Sequence, residues 1–157
     1  MAGIHTHELT VSAEAIDANG HVNNLEYLRW MQDIAVAHSA ARGWDMARYL
    51  AVGGTWVVRA HTIEYLGAAF EGDTLSLYTW VGDLGSSSSR RRYLVWRAAD
   101  ECLIARAETL WVYVDMRSGR ARRIPDELRA SFVVLPSTDA VMEELGLRVR
   151  VDGRGMS

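Results

Sequence analysis

Lysine is missing from this chain: all 17 basic residues are arginine, set against 20 aspartates and glutamates, for a formal charge of -3. A nucleic-acid binder usually needs a strongly basic surface, so nucleic acid is excluded as the main partner. The single cysteine, Cys102, rules out a disulfide within the chain and agrees with a reducing, cytoplasmic setting. No apolar run reaches the ~18 residues of a membrane span, so no membrane partner is expected. The opening "MAGIHTHELTV" lacks a basic region ahead of an apolar core, so no secretory leader is expected either. Several catalytic signatures are also absent. The histidines show no metal-ligand spacing with Cys102, no GxxxxGKS or GxxxxGKT phosphate loop occurs, and there is no G-x-S-x-G elbow. A metal centre, a phosphate loop and a serine hydrolase are therefore not expected.

What is present reads as one soluble globular unit. Hydrophobic residues make up 49% and charged residues 24% of 157 residues, enough for one core. No repeat or linker divides the chain, so a single domain over 1–157 is expected, with its core at about 4–132. Residues 4–11 alternate loosely and predict a strand. From Asn24 to about Ala41, Tyr27, Met31, Ile34, His38 and Ala41 fall at three- and four-residue steps, which predicts a helix. Most of its girth is apolar, the mark of a buried helix. Residues 44–52 predict a short helix or ordered loop. Four long segments rich in Val, Thr, Trp and Tyr follow, at 55–66, 73–82, 87–99 and 102–115, separated by turn signals. With no helices between them they predict an antiparallel meander, and the whole an α+β arrangement of one helix on a five-stranded sheet. "IPDELRASF" predicts a short closing segment. The tail from Ser137 holds a possible amphipathic turn (Val141, Met142, Leu145) and ends in "DGRGMS", expected to be disordered.

The chemistry is concentrated in "IDANGHVNNLEYLRW", residues 16–30. On spacing alone, Asp17 reads as a turn residue bonded to the backbone. Asn23 is a good N-cap, and Glu26 three residues later has capping-box spacing. That places Asn24 at the first helical position, where its N–H has no intrahelical acceptor and the helix dipole adds positive potential.

The run Asp17, Gly20, His21, Val22, Asn23, Asn24, Tyr27 and Trp30 resembles the opening of the hotdog-fold thioesterases. The nearest branch is the 4-hydroxybenzoyl-CoA thioesterase-like family, which includes the acyl-ACP thioesterases. "VVRAHTIEYLGAAFEGDTLSL" and "AETLWVYVDMRSGRARRIP" match the family's later motifs in the right order, so the resemblance covers most of residues 5–130. It implies a hotdog fold, a long buried helix wrapped by a curved antiparallel five-stranded sheet. It also implies a homodimer, or a dimer of dimers, with active sites between subunits, and hydrolysis of an acyl-CoA or acyl-carrier-protein thioester. The chain departs from the family at Ala15, where an acid is common, and lacks the proline usual after the I-E-Y strand.

Under that resemblance Asp17 is the general base or nucleophile, and the Asn24 N–H is the oxyanion donor. Asn23 and Tyr27 stand beside the substrate. His21 has three roles open: orienting Asp17, touching substrate, or packing in the loop. Ser88 with Arg90, Arg91 and Arg92 opens a strand. Their hydroxyl and guanidinium groups suit the phosphates of coenzyme A, while a charged, solvated edge strand accounts for them equally. Strand alternation sets Arg91 on the face opposite Arg90 and Arg92. No cofactor is expected beyond coenzyme A as part of the substrate. Two other readings remain: a hotdog hydratase or dehydratase with an Asp–His pair, and a non-catalytic acyl-thioester-binding module.

Overall fold

A computed structural model describes residues 2–149. Strand β1 (His5–Thr10) leads through a 3-10 turn and a loop into helix α1 (Asn24–Ala41), followed by α2 (Met46–Val52). Then come β2 (Gly54–Tyr65), β3 (Thr74–Val81), β4 (Ser88–Arg97), β5 (Cys102–Asp115), α3 (Asp126–Ala130) and α4 (Thr138–Leu145). The five strands form one antiparallel sheet in the order β1-β3-β4-β5-β2. No helix among the described residues is long and apolar enough to cross a membrane.

The order corrects the expected meander. Only β3, β4 and β5 run as one, while β2 lies at the far edge beside β5. Residues 66–73 carry the chain from β2 back to β3. Three strand spacings of ~4.8 Å make about 14 Å, well within the reach of eight extended residues. A helix is not needed for such a step when the strands it joins are antiparallel to their neighbours. The crossing segment is pinned where it passes β5, with Leu66 and Gly67 N–H both donating to Ile104 O.

Strand alternation divides the sheet into two faces. Leu75 and Leu77 of β3 and Tyr93 and Val95 of β4 meet Tyr27, Met31 and Ile34 of α1 on the inner face. Each such side chain contributes roughly 1.5–3 kcal/mol on burial. Trp80, Leu94 and Trp96 point the other way and are covered by Val141 and Met142 of α4. The amphipathic turn expected in the tail is therefore a helix of two turns. "DGRGMS" lies outside the described residues. A third cluster, built on Trp44, Tyr49, Tyr113 and Leu128, fastens α2 and α3 to the end of the sheet.

Helix α1 also differs from expectation. In the single chain it is buried along one face only, and Leu25 and Val36 stay 69% and 63% exposed. The sheet can cover one side of a helix, and no other element among the described residues covers Leu25 or Val36 on the other.

Candidate active site

The loop before α1 is a narrow hairpin. Asp17 N–H donates to His21 O (3.0 Å), Gly20 N–H donates to Asp17 O (3.0 Å), and Ile16 bridges Val22. Gly20 closes the turn at φ +82°, a conformation that glycine adopts without strain. Asn19 N–H donates to Asp17 Oδ1 at 2.9 Å, the Asx-turn bond expected of an aspartate in a turn. The other oxygen, Oδ2, accepts no hydrogen bond among the described residues; His21 Nδ1 lies 3.9 Å away, beyond hydrogen-bond reach. The Asp17 side chain is 24% exposed. One carboxylate oxygen is thus anchored and the other is open.

The hairpin is held from below. Val22 N–H donates to Ala69 O (2.8 Å), and Asn23 N–H donates to Ala15 O (2.8 Å). Ala69 belongs to the crossing segment, which Arg97 clamps through Nη1 to Ala68 O (2.9 Å) and to Asp73 (2.8 Å). Those bonds to Asp73 and Asp100 hold the Arg97 guanidinium above its ordinary pKa, Asp100 contributing most.

Asn23 caps α1 through Oδ1, which accepts from Leu25 N–H at 2.9 Å, while Glu26 N–H donates to Asn23 O. The reciprocal half of the capping box does not form. Asn23 N–H is already spent on Ala15, and the Glu26 carboxylate lies 3.7 Å from Arg29. With Leu25 and Glu26 engaged, the Asn24 N–H is left without an acceptor among the described residues.

The other residues marked in the sequence lie apart from this loop. Tyr27 is core: its ring meets Trp30 and Tyr65 edge-on at 5.2 and 5.3 Å, and burial, reinforced by Tyr65, pushes its hydroxyl up to about 12. Arg90 and Arg92 lie on the outer face with Ser88. Arg90 pairs with Asp83 (3.0 Å) and Glu108 (3.3 Å), and Arg92 with Glu108 (3.2 Å). Arg91 points inward, 7% exposed, onto the wall of a cavity of about 240 Å³. The arginine run is therefore split between two faces, and among the described residues neither part shares a hydrogen bond, an ion pair or a cavity with Asp17.

That cavity is lined in part by helix residues that carry no site role in the sequence motifs. Gln32, Val36 and Ser39 of α1, Tyr49 of α2 and Trp56 of β2 share its wall with Arg91. Ser39 Oγ and Tyr49 Oη lie 2.6 Å apart, and Trp56 Nε1 donates to Tyr49 Oη at 3.1 Å. Behind the wall His38 is 4% exposed, and burial, then Arg91, lowers its pKa to about 3. Two signals pointed there: His38 falls at an apolar step of α1, and alternation turns Arg91 inward. The cavity faces the second half of α1. Eleven residues separate Asn24 from Ala35, a rise of roughly 16 Å, so one copy of the chain holds Asp17 and the cavity at different levels of the helix.

Comparison with known proteins places this architecture. A family model described as the thioesterase-like superfamily matches residues 11–132. The chain belongs to this superfamily. Among its relatives is the L-carnitine dehydrogenase/betainyl-CoA thioesterase of Rhizobium meliloti, 32% identical over 122 residues, covering 76% of this chain and 24% of that protein. A chloroplastic acyl-(acyl-carrier-protein) hydrolase, FATB3 of Cuphea viscosissima, is 31% identical over 78 residues, covering 50% of this chain and 19% of that one. The chain thus spans a quarter or less of the length of these two relatives. A hypothetical protein from Staphylococcus aureus, solved in complex with CoA, shares the hotdog fold at TM-score 0.77 and 17% identity, covering 97% of this chain and 98% of that one.

Proposed function

We propose that this superfamily member hydrolyses an acyl thioester to a free acid and a thiol. Asp17 acts as general base or nucleophile, and the Asn24 N–H binds the developing oxyanion. The observation that supports the reading is the pairing of an open carboxylate oxygen with an unspent N–H at the start of one helix. In the general-base route, Asp17 takes a proton from water as its oxygen adds to the thioester carbon. Charge collects on the carbonyl oxygen, where a fixed N–H and the helix dipole stabilise it. Collapse expels a thiolate, a good leaving group since thiols ionise near ~8.5, and the thiolate takes up the proton. In the nucleophilic route Asp17 attacks the carbon itself, and water then cleaves the anhydride. Neither route changes an oxidation state, and coenzyme A or a carrier protein enters only as the thiol half of the substrate.

The same reading takes two copies of the chain. Among the described residues β2 has a free edge along its length, and Val36 and Met46 stand exposed on the cavity lining. A second copy covering them brings its own Asp17 loop towards that cavity, which one copy keeps at another level of α1.

Thiol release from a panel of acyl-CoAs tests the chemistry. Asp17→Asn is expected to lower turnover by about 10²–10⁴-fold with an unchanged melting temperature. Undiminished turnover in that variant sinks the mechanism. A requirement for His21 comparable to that for Asp17 favours the hydratase reading, which uses an Asp–His pair.

A further inference from the structure

Arg91 is a cation almost sealed inside the protein, with no carboxylate partner among the described residues. Its Nη1 donates to His38 Nδ1 at 2.8 Å and to Thr79 Oγ1 at 3.3 Å. A guanidinium has no acceptor, so His38 is the neutral tautomer with its proton on Nε2. Of the five guanidinium N–H groups, those two are spent. The remaining three, on Nε and Nη2, have no acceptor among the described residues. No aspartate or glutamate among the described residues pairs with it, whereas Arg90 and Arg92 on the outer face are both neutralised. The face of Phe132 lies 5.9 Å from the guanidinium carbon and offers only weak compensation. An unpaired buried charge costs several kcal/mol, and a chain does not keep one cheaply.

The charge sits on the wall of the 240 Å³ cavity. Ser39 bonds Tyr49 and Trp44 O, and Ser89 donates to Asp83 O, while the neutral groups of Gln32 and Thr55 also line the cavity and Trp111 Nε1 is buried without a partner among the described residues. The one acid of the lining, Asp45, is an exposed residue that caps α2 through Arg48 N–H. Trp44, Trp56 and Trp111 supply apolar wall. The cavity is therefore a largely apolar sleeve whose one buried charge is an unspent planar cation.

We propose that this cavity binds the acyl portion of the ligand, that this acyl portion ends in a carboxylate, and that Arg91 is its counter-ion. The fork of Nε and Nη2 matches a carboxylate in bidentate geometry. A short dicarboxylic acyl group is the simplest ligand that sets a carboxylate against Arg91 and methylenes against the tryptophans of the wall. The proposal borrows from the thioesterase reading only the carrier of that group; the preference for a carboxylate stands without it.

Binding and turnover separate the two. Tryptophan fluorescence of the full chain is titrated with glutarate, with glutaramide as its neutral match, and with sodium chloride. Hydrolysis of glutaryl-CoA is compared with that of valeryl-CoA. The expected result is a preference for glutarate over glutaramide, and for glutaryl-CoA over valeryl-CoA, of about tenfold or more. Arg91→Met should collapse both ratios towards one, and Arg91→Lys should retain part of each. A glutarate preference with no turnover of either thioester upholds the binding site and removes the hydrolase. Equal binding of acid and amide, an equal response to chloride, or a preference that survives Arg91→Met overturns the inference. If Arg91→Met fails to fold, the wild-type ratios decide alone.

Discussion

Asn23 connects two structures at once, since its side chain caps α1 while its backbone N–H ties the Asp17 hairpin to Ala15. Asn23→Ala removes only the first link and should cost about 1 kcal/mol, read from chemical unfolding. The same change frees Leu25 N–H to compete with Asn24 for the oxyanion, so activity should fall less than in Asp17→Asn. His38 carries a pH dependence. Burial, and secondarily Arg91, lowers it to about 3 in the folded chain, against ~6.5 when unfolded. Between those values the unfolded chain binds a proton that the folded one refuses. The stabilising effect is complete above about pH 6.5 and drains as pH falls towards 3, by up to roughly 1.4 kcal/mol per unit. His5, stacked on His38 at 5.2 Å and also lowered by burial, acts in the same direction. Urea unfolding at pH 7 and pH 4.5 should show this loss, and His38→Asn should shrink it, because an amide oxygen accepts from Arg91 without titrating.

Among the elements, β2 is the most tightly specified at its start. A Cβ on Gly54 would collide with the hydroxyl and ring of Tyr113 on the neighbouring strand. Gly54→Ala should therefore destabilise the fold by about 1–3 kcal/mol, an overpacking cost visible as a lower melting temperature. Nothing in "VGGTW" announces that contact, because it joins positions far apart in sequence. The readable features were local ones. The three- and four-residue steps gave α1 from Asn24 to Ala41, and the Asp17–Gly20 spacing gave a turn. Alternation separated Arg91 from Arg90 and Arg92. Strand order was not readable, since alternation tells which face a side chain takes but not which strand lies alongside. The same limit hid the Ala69 anchor under Val22 and the meeting of His38 with Arg91.

At the scale of the molecule, the free edge of β2 is the surface most in need of a neighbour. Val57 and Val58 on it are 44% and 38% exposed, an apolar pair on a 12-residue edge strand. A charge there should oppose edge pairing, so Val57→Lys should move the chain towards a monomer in sedimentation while leaving its circular dichroism intact. If the proposed site draws on two copies, turnover should fall with the same concentration dependence as the mass. The opposite side of the sheet behaves differently. α4 lies across Trp80, Leu94 and Trp96, so that face is already roofed by its own chain. Stacking two sheets back to back would mean prising off that roof and wetting two indoles on each chain. Any assembly larger than the proposed pair would therefore use the flank where α1 and α2 expose Val36, Met46 and Leu50.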